Sequence, residues 1–169
     1  MPSLIGPAHM SDANIQRQSV TILMADDDED DRELARDALH EARLLNDLRF
    51  CVDGADLLDY LRRQGTYADP SVEAPRPGII LLDLNMPKKN GREALAEIKS
   101  DESLRRIPIV VLTTSNDEQD VLRTYDLGAS SFITKPVTFG GLVEVMKAWG
   151  RYWFEIVDLP NGETHAESA

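Results

Sequence analysis

Four apolar runs in this sequence each end on polar side chains suited to phosphate chemistry. Residues 21–25 run into Asp26 and Asp27, residues 78–82 into Asp83, residues 109–112 into Thr113, and residues 131–134 into Lys135. Ligands of an open parallel α/β sheet bind in the crevice outside the carboxyl ends of its strands. If the four runs are strands of such a sheet, three carboxylates, a hydroxyl and an ammonium meet at one edge. That set can hold a divalent cation and a phosphoryl group together.

The elements that must position these groups follow from periodicity. After the first run, Leu34, Ala35, Ala38, Leu39 and Ala42 repeat with helical spacing and form one apolar face. Residues 48–52 read as a short strand, and Leu57, Leu58 and Leu61 mark a second helix ending near Gly65. A charged, Pro-containing loop over residues 66–77 leads to the next strand. Asn85-Met86-Pro87-Lys88-Lys89-Asn90-Gly91 connects that strand to a helix carrying Ala94, Leu95 and Ile98, and Pro108 precedes the fourth strand. Val121, Leu122 and Tyr125 give a fourth helix closed by Gly128 as its C-terminal cap. Thr138 is the N-cap of a last helix, whose apolar positions are Leu142, Val145, Met146, Trp149, Trp153 and Ile156. Strand and helix alternate five times, which predicts an α/β fold: a doubly wound five-stranded parallel sheet with helices on both faces and an extended C-terminal helix. Residues 1–19 lack periodicity and contain Pro2, Gly6 and Pro7, so they read as a flexible segment before the domain.

Composition narrows the function. The chain has 169 residues, enough for one domain with a buried core, and 42% of them are apolar. No apolar stretch approaches the roughly 20 residues that cross a bilayer, and no basic segment precedes an apolar one at the N-terminus. The expectation is a cytoplasmic protein without membrane contact. Cys51, the single cysteine, sits in an apolar phrase and reads as a buried, inert thiol. The formal net charge of -12 argues against nucleic acid as a partner, because polyanion binding needs clustered Lys and Arg. Residues 26–31 are all acidic, and they follow a strand and open a helix, where the macrodipole favours anions.

The spacing resembles the receiver domain of two-component response regulators over residues 20–147, a flavodoxin-like fold. The carriers are Asp26-Asp27, Asp83-Leu84-Asn85-Met86-Pro87, Thr113 and Lys135-Pro136, each at a strand end and in this order. The resemblance implies that Asp83 is the phosphoacceptor, taking a phosphoryl group from a phosphohistidine on a sensor histidine kinase. It implies that Asp27 binds Mg²⁺ (or Mn²⁺) directly, that Asp26 acts largely through water, that Asp83 shares the ion, and that Asn85 contributes its backbone carbonyl. Thr113 and Lys135 would hold phosphoryl oxygens, and Phe132 matches the family's switch aromatic; the other reading of Phe132 is a static core ring. Lys135-Pro136 matches the family's cis peptide, against the general preference of X-Pro bonds for trans. Thr114 is branched where many receivers are small, and Ser115 and Asn85 occupy positions that tune phosphate lifetime. The C-terminal aromatics and the phrase Leu112-Thr113-Thr114-Ser115 look most like regulators paired with bacterial phytochromes.

Other chemistries fit less well. A calcium loop starting at Asp26 would have Asp31 where the turn needs Gly, and Asp37 where a longer Glu belongs. An aspartate-dependent phosphatase of similar fold usually carries a second Asp two residues after the nucleophile, and here that position is Asn85. A nucleotide- or flavin-binding module has a Gly-rich first turn in place of the acidic run. His9, His40 and His165 lie far from every motif. Only residues 159–169 follow Asp158, too few for an effector domain, so a stand-alone regulator is expected. Residues 148–169 read as a C-terminal extension for dimerisation: Trp149, Tyr152 and Trp153 share a face with Leu142, Val145 and Met146, while Phe154 points to a neighbouring side. A two-fold homodimer through that face and an intramolecular latch are both open.

Overall fold

Successive side chains of a strand point to opposite faces of its sheet, so a strand that is apolar throughout must be covered on both. The computed structural model, which describes residues 20–114, 118–156 and 159–160, has this layered arrangement. Strands β1 (Ile22–Ala25), β2 (Leu48–Cys51), β3 (Ile79–Leu82), β4 (Ile109–Thr113) and β5 (Ser131–Thr134) form one parallel sheet in the order β2-β1-β3-β4-β5. Helices α1 (Glu29–Glu41), α2 (Gly54–Arg62), α3 (Gly91–Ser100), α4 (Glu118–Asp126) and α5 (Phe139–Arg151) alternate with the strands, and a short 3₁₀ turn spans Gly65–Ala68. The strand order reverses between β1 and β3, which opens the crevice at their carboxyl ends.

The pleat divides one apolar sequence into two cores. Leu23, Ala25, Ile80, Leu82, Ile109 and Val111 face a cluster with Leu57 of α2 and with Leu95 and Ile98 of α3. Ile22, Met24, Ile79, Leu81, Val110 and Leu112 face the other, with Ala35, Ala38 and Leu39 of α1 and Met146 and Trp149 of α5. Cys51 is buried in the first core, and burial pushes its thiol pKa far up, which makes it inert.

Short polar side chains start four of the helices. Asp28 accepts hydrogen bonds from the backbone N–H groups of Asp30 and Asp31, Asp53 from that of Asp56, Asn90 from that of Glu93, and Thr138 from that of Gly141. Gly128 closes α4 at φ +105°, a left-handed conformation that suits glycine. Three expected core positions are instead on the surface: Leu34 of α1, and Leu122 and Tyr125 of α4. Both helices meet the sheet along narrower stripes, Ala35, Ala38 and Leu39 in α1 and the fully buried Thr124 in α4. The Tyr125 hydroxyl accepts a hydrogen bond from the Phe132 N–H, so that ring spans the end of β5. The Lys135-Pro136 peptide is trans, as are all the described peptide bonds, in keeping with the ordinary preference of X-Pro amides rather than the family's cis form.

The C-terminal helix changes winding at its end. Residues Tyr152–Ile156 form a π-turn, whose backbone hydrogen bonds span five residues instead of four. Phe154, five after Trp149, is therefore carried into the core, and the two rings meet edge to face at 5.4 Å. Phe154 thus points inward rather than to the side that a continuous α-helix implies. Trp149 is 4% exposed, Trp153 is partly buried and Tyr152 is 49% exposed, so only part of the expected aromatic face is on the surface. Gly150 lies against Leu44 in the α1–β2 connection, where an added Cβ would fall 2.5 Å from a Leu44 methyl carbon.

Gly91 decides how closely α3 approaches the loop after β3, because a Cβ there would lie 2.3 Å from the Asp83 carbonyl oxygen and 2.7 Å from the Leu84 Cα. Backbone cannot yield as a side-chain tip can. Gly91→Ala is expected to lower stability by about 1–3 kcal/mol in urea unfolding. Gly140→Ala, with nothing within 4 Å of its Cβ, should raise it by about 0.5–1 kcal/mol. Equal effects of the two substitutions would show that the close approach is not as described.

Candidate functional site

The register of the strands places the polar residues that follow them. Ala25 pairs with Leu82, so Asp26 and Asp83 leave neighbouring strands side by side. Thr113 pairs with Thr134, which brings Lys135 beside the end of β4, where its N–H donates to the Thr113 carbonyl at 2.8 Å. The carboxylates of Asp26, Asp27 and Asp83 each offer an oxygen within 4.8 Å of the others. Asp26 is fully buried, Asp83 is buried and Asp27 is exposed, so the cluster opens to solvent on one side.

Lys135 balances this charge. Its Nζ donates to Asp26 Oδ2 at 2.6 Å and to Asp31 Oδ2 at 3.0 Å, and lies 3.6 Å from Asp83 Oδ2. Burial alone would lower the Lys135 pKa; its hydrogen bond to Asp26 and the charges of Asp83 and Asp26 outweigh that and push it up to about 12. Burial raises the pKa of Asp26, partly opposed by the hydrogen bonds from Lys135 and from the Asp28 N–H. Asp83 Oδ1 accepts from the Asn85 N–H at 3.3 Å, which leaves Oδ2 toward Lys135.

The loop carrying Asp83 is pinned along its length. The Gly91 N–H donates to the Leu84 carbonyl, and the Gly54 N–H at the start of α2 donates to that of Lys89, each at 3.0 Å. Lys88, at φ +62°, places its ammonium 3.6 Å from the buried carboxylate of Asp53. Arg92 in the first turn of α3 makes a two-pronged ion pair with Asp120 in the first turn of α4. The helix after Asp83 is thereby tied to the helix after Thr113.

The structure brings together Asp26, Asp27, Asp83 and Lys135, with the exposed Asn85 following Asp83 in the same loop and the fully buried Thr113 ending β4. Phe132 is half-buried against the core shared by α2 and α3, which is neither a fully buried ring nor a free one. Trp149, Tyr152 and Trp153 are not part of this group: α5 runs away from the site and ends over the α1–β2 connection, at the opposite edge of the sheet. Ser115 lies outside the described residues. Sequence reasoning missed Asp31, which binds Lys135, and Arg32, whose guanidinium donates to the Asp26 carbonyl at 2.8 Å. The signal for Asp31 was weak, since it is one of six consecutive acidic residues and only its position within the first turn of α1 sets it apart.

A five-stranded sheet in this order, with an acidic triad and a lysine at its carboxyl edge, defines a signal-receiving α/β domain. The chain belongs to the response regulator receiver domain family, whose model matches residues 22–147. It is 40% identical over 139 residues to the response regulator Rcp1 of Synechocystis, covering 82% of this chain and 92% of that one. The crystal structure of the phosphorylated cyanobacterial phytochrome response regulator RcpA superposes with a TM-score of 0.77 at 40% identity, covering 85% of this chain and 99% of RcpA. The bacteriophytochrome response regulator AtBRR superposes with a TM-score of 0.66 at 36% identity, covering 83% and 97% of the two chains. Rcp1 also has a solved Mn²⁺-bound form.

The residues present fit a divalent cation of the Mg²⁺ or Mn²⁺ type. Carboxylate oxygens are its preferred ligands, and one lysine cannot neutralise the four carboxylates of Asp26, Asp27, Asp31 and Asp83. Asp26, Asp27 and Asp83 are the groups that would hold it. Two unit charges 4 Å apart interact by roughly 4 kcal/mol at an effective dielectric of 20, so relief of this repulsion stabilises the folded state. Mg²⁺ is expected to raise the melting temperature, and Asp27→Ala should abolish the shift while leaving the domain folded. An undiminished Mg²⁺ response in that variant would place the ion elsewhere.

Proposed function

We propose that Asp83 is the phosphoacceptor of a two-component signalling pathway, receiving its phosphoryl group from a phosphohistidine on a sensor histidine kinase. The observation that carries this reading is the placement of the Asp83 carboxylate beside Asp26 and Asp27 with the Lys135 ammonium 3.6 Å away. Asp83 Oδ attacks phosphorus, the P–N bond to the donor imidazole breaks, and the imidazole leaves with its electron pair and takes up a proton. A bound Mg²⁺ or Mn²⁺ supplies positive charge against the carboxylates and the phosphoryl oxygens. The protein's own part is to hold the Asp83 carboxylate aimed, to present Lys135 to one phosphoryl oxygen, and to offer the Thr113 hydroxyl to another. Phe132 acts as the switch: its half-buried ring moves inward as Thr113 is drawn toward the phosphoryl group, and this changes the surface around β5 and α4. The phosphatase alternative is not favoured, because the side-chain amide of Asn85, the residue two beyond Asp83, has no acidic proton with which to serve as general acid.

The kinase is a phytochrome of bacterial type, a reading supported by the likeness to RcpA and AtBRR, both described as phytochrome regulators. The protein works in the cytoplasm, apart from nucleic acid and membrane. No helix among the described residues is long and apolar enough to cross a membrane, and the net charge of -12 opposes polyanions.

Incubation with a phosphohistidine kinase domain or a small acyl phosphate should give an acid-stable, alkali-labile adduct that requires Mg²⁺ and is absent in Asp83→Asn. Labelling that survives this substitution would sink the assignment.

The C-terminal extension pairs two copies of the chain. The exposed Tyr152, edge to face with Trp153 at 5.2 Å, forms an aromatic patch suited to a two-fold contact. Truncation after Lys147 would also remove Trp149 and Phe154 from the core, so the cleaner probe is Tyr152→Glu. Light scattering should find a dimer for the native chain at tens of micromolar and a folded monomer for the variant. A native monomer, phosphorylated or not, would remove the dimer.

A further inference from the structure

We propose that Asp31 is a positioning residue for Lys135: it draws the ammonium toward α1 and thereby weakens the hold of the site on a phosphoryl group. This rests on the assignment of Lys135 as a phosphoryl ligand. A lysine ammonium has three N–H donors and no acceptor. In this protein Asp26 and Asp31 take hydrogen bonds at 2.6 and 3.0 Å, while Asp83, where a phosphoryl group would be attached, lies at 3.6 Å. The ammonium is thus engaged more closely by the two carboxylates beside the phosphoacceptor than by the phosphoacceptor itself.

The two close partners differ in what they need from it. Asp26 is fully buried and requires a counter-charge wherever the phosphoryl group is. The Asp31 side chain is 37% exposed, so water can solvate its carboxylate without Lys135. Nor does that carboxylate cap the helix, since Asp28 does so by accepting from the Asp30 and Asp31 N–H groups. Its ion pair is therefore dispensable for burial and for the start of α1. What the pair does is set where the ammonium sits. A phosphoryl group on Asp83 can use the third N–H donor only if the ammonium moves across from its place between Asp26 and Asp31, and the Asp31 contact opposes that movement. Asp31 tunes the phosphorylated state without touching the reacting atoms.

The test uses beryllofluoride, an anionic phosphoryl mimic that ligates a carboxylate oxygen, titrated calorimetrically into the full chain at saturating Mg²⁺. Asp31→Asn should bind it about three- to fivefold more tightly than the native protein, the effect of releasing one partly exposed ion pair. Asp31→Glu, which keeps the charge, should stay near the native affinity. Asp30→Asn makes the same charge change one residue away, from a side chain without a bond to Lys135, and should also stay near it. No gain in Asp31→Asn, or an equal gain in Asp30→Asn, would overturn the proposal, the second outcome reducing it to general charge repulsion. Native binding that is lost in Asp83→Asn upholds the phosphoacceptor reading whatever Asp31 does. Absence of native binding would defeat that reading and this inference together.

Discussion

A carboxylate removed from water needs a counter-charge and hydrogen bonds, or it protonates or destabilises the fold by several kcal/mol. Asp26 is fully buried, and the hydrogen bond from Lys135 at 2.6 Å is what permits it to stay there as an anion. Much of the carboxyl edge of the sheet is organised by that contact. Lys135 must leave β5 at a fixed height, and its N–H bond to the Thr113 carbonyl holds it there. Asp26 must leave β1 level with Asp83, which the pairing of Ala25 with Leu82 secures. The balance is incomplete by design of the residue set: one cation serves Asp26, Asp31 and Asp83, and Asp27 adds a further charge. The shortfall leaves a site that attracts a divalent cation and responds when a phosphoryl group alters the count.

That response can travel because the loops around the site are not free. The segment after Asp83 is anchored to α2 through Gly54 and Lys89 and through Asp53 and Lys88. Beyond it, the Arg92–Asp120 pair joins the first turns of α3 and α4 with little exposure of either side chain. A displacement of the first turn of α4 would be passed to α3 through that ion pair. Tyr125 adds a second link, since its hydroxyl holds the Phe132 N–H. The backbone of Phe132 is thereby held to α4 while its ring is left to pack against the core.

How much of this was legible in the sequence depended on the kind of signal. The strand ends were readable because a polar residue stops an apolar run at Asp26, Asp83, Thr113 and Lys135, and parallel register then does the rest. Thr138 and Gly128 announced helix ends through side-chain and backbone chemistry that acts locally. Leu34, Leu122 and Tyr125 misled because a period of 3.6 residues is met by more than one stripe, and only the sheet selects which is covered. Asp31 was hidden within six consecutive acidic residues that look alike as charge. What separates Asp31 from Asp30 is phase on α1, and that matters only once Lys135 arrives from a strand about a hundred residues later, at a sequence separation of 104.

The C-terminal helix shows the same limit from another direction. Apolar spacing treats Trp149 and Trp153 as one stripe, but the π-turn replaces a four-residue step with a five-residue one and seats Phe154 under Trp149. The Trp149 indole N–H, buried and without a hydrogen-bond partner among the described residues, opposes this by about 1–3 kcal/mol. Two large aromatic side chains buried together offset that, because each contributes on the order of 1.5–3 kcal/mol when removed from water. Gly150 is the residue that lets the turn form at this depth, with Leu44 filling the space a side chain would occupy. The end of α5 is therefore fastened to the domain core by Trp149 and Phe154, and Tyr152 is turned outward by the same change of winding. A helix end so fixed presents its aromatic surface at a constant position relative to the sheet, which is what a self-complementary contact requires and a flexible tail cannot supply.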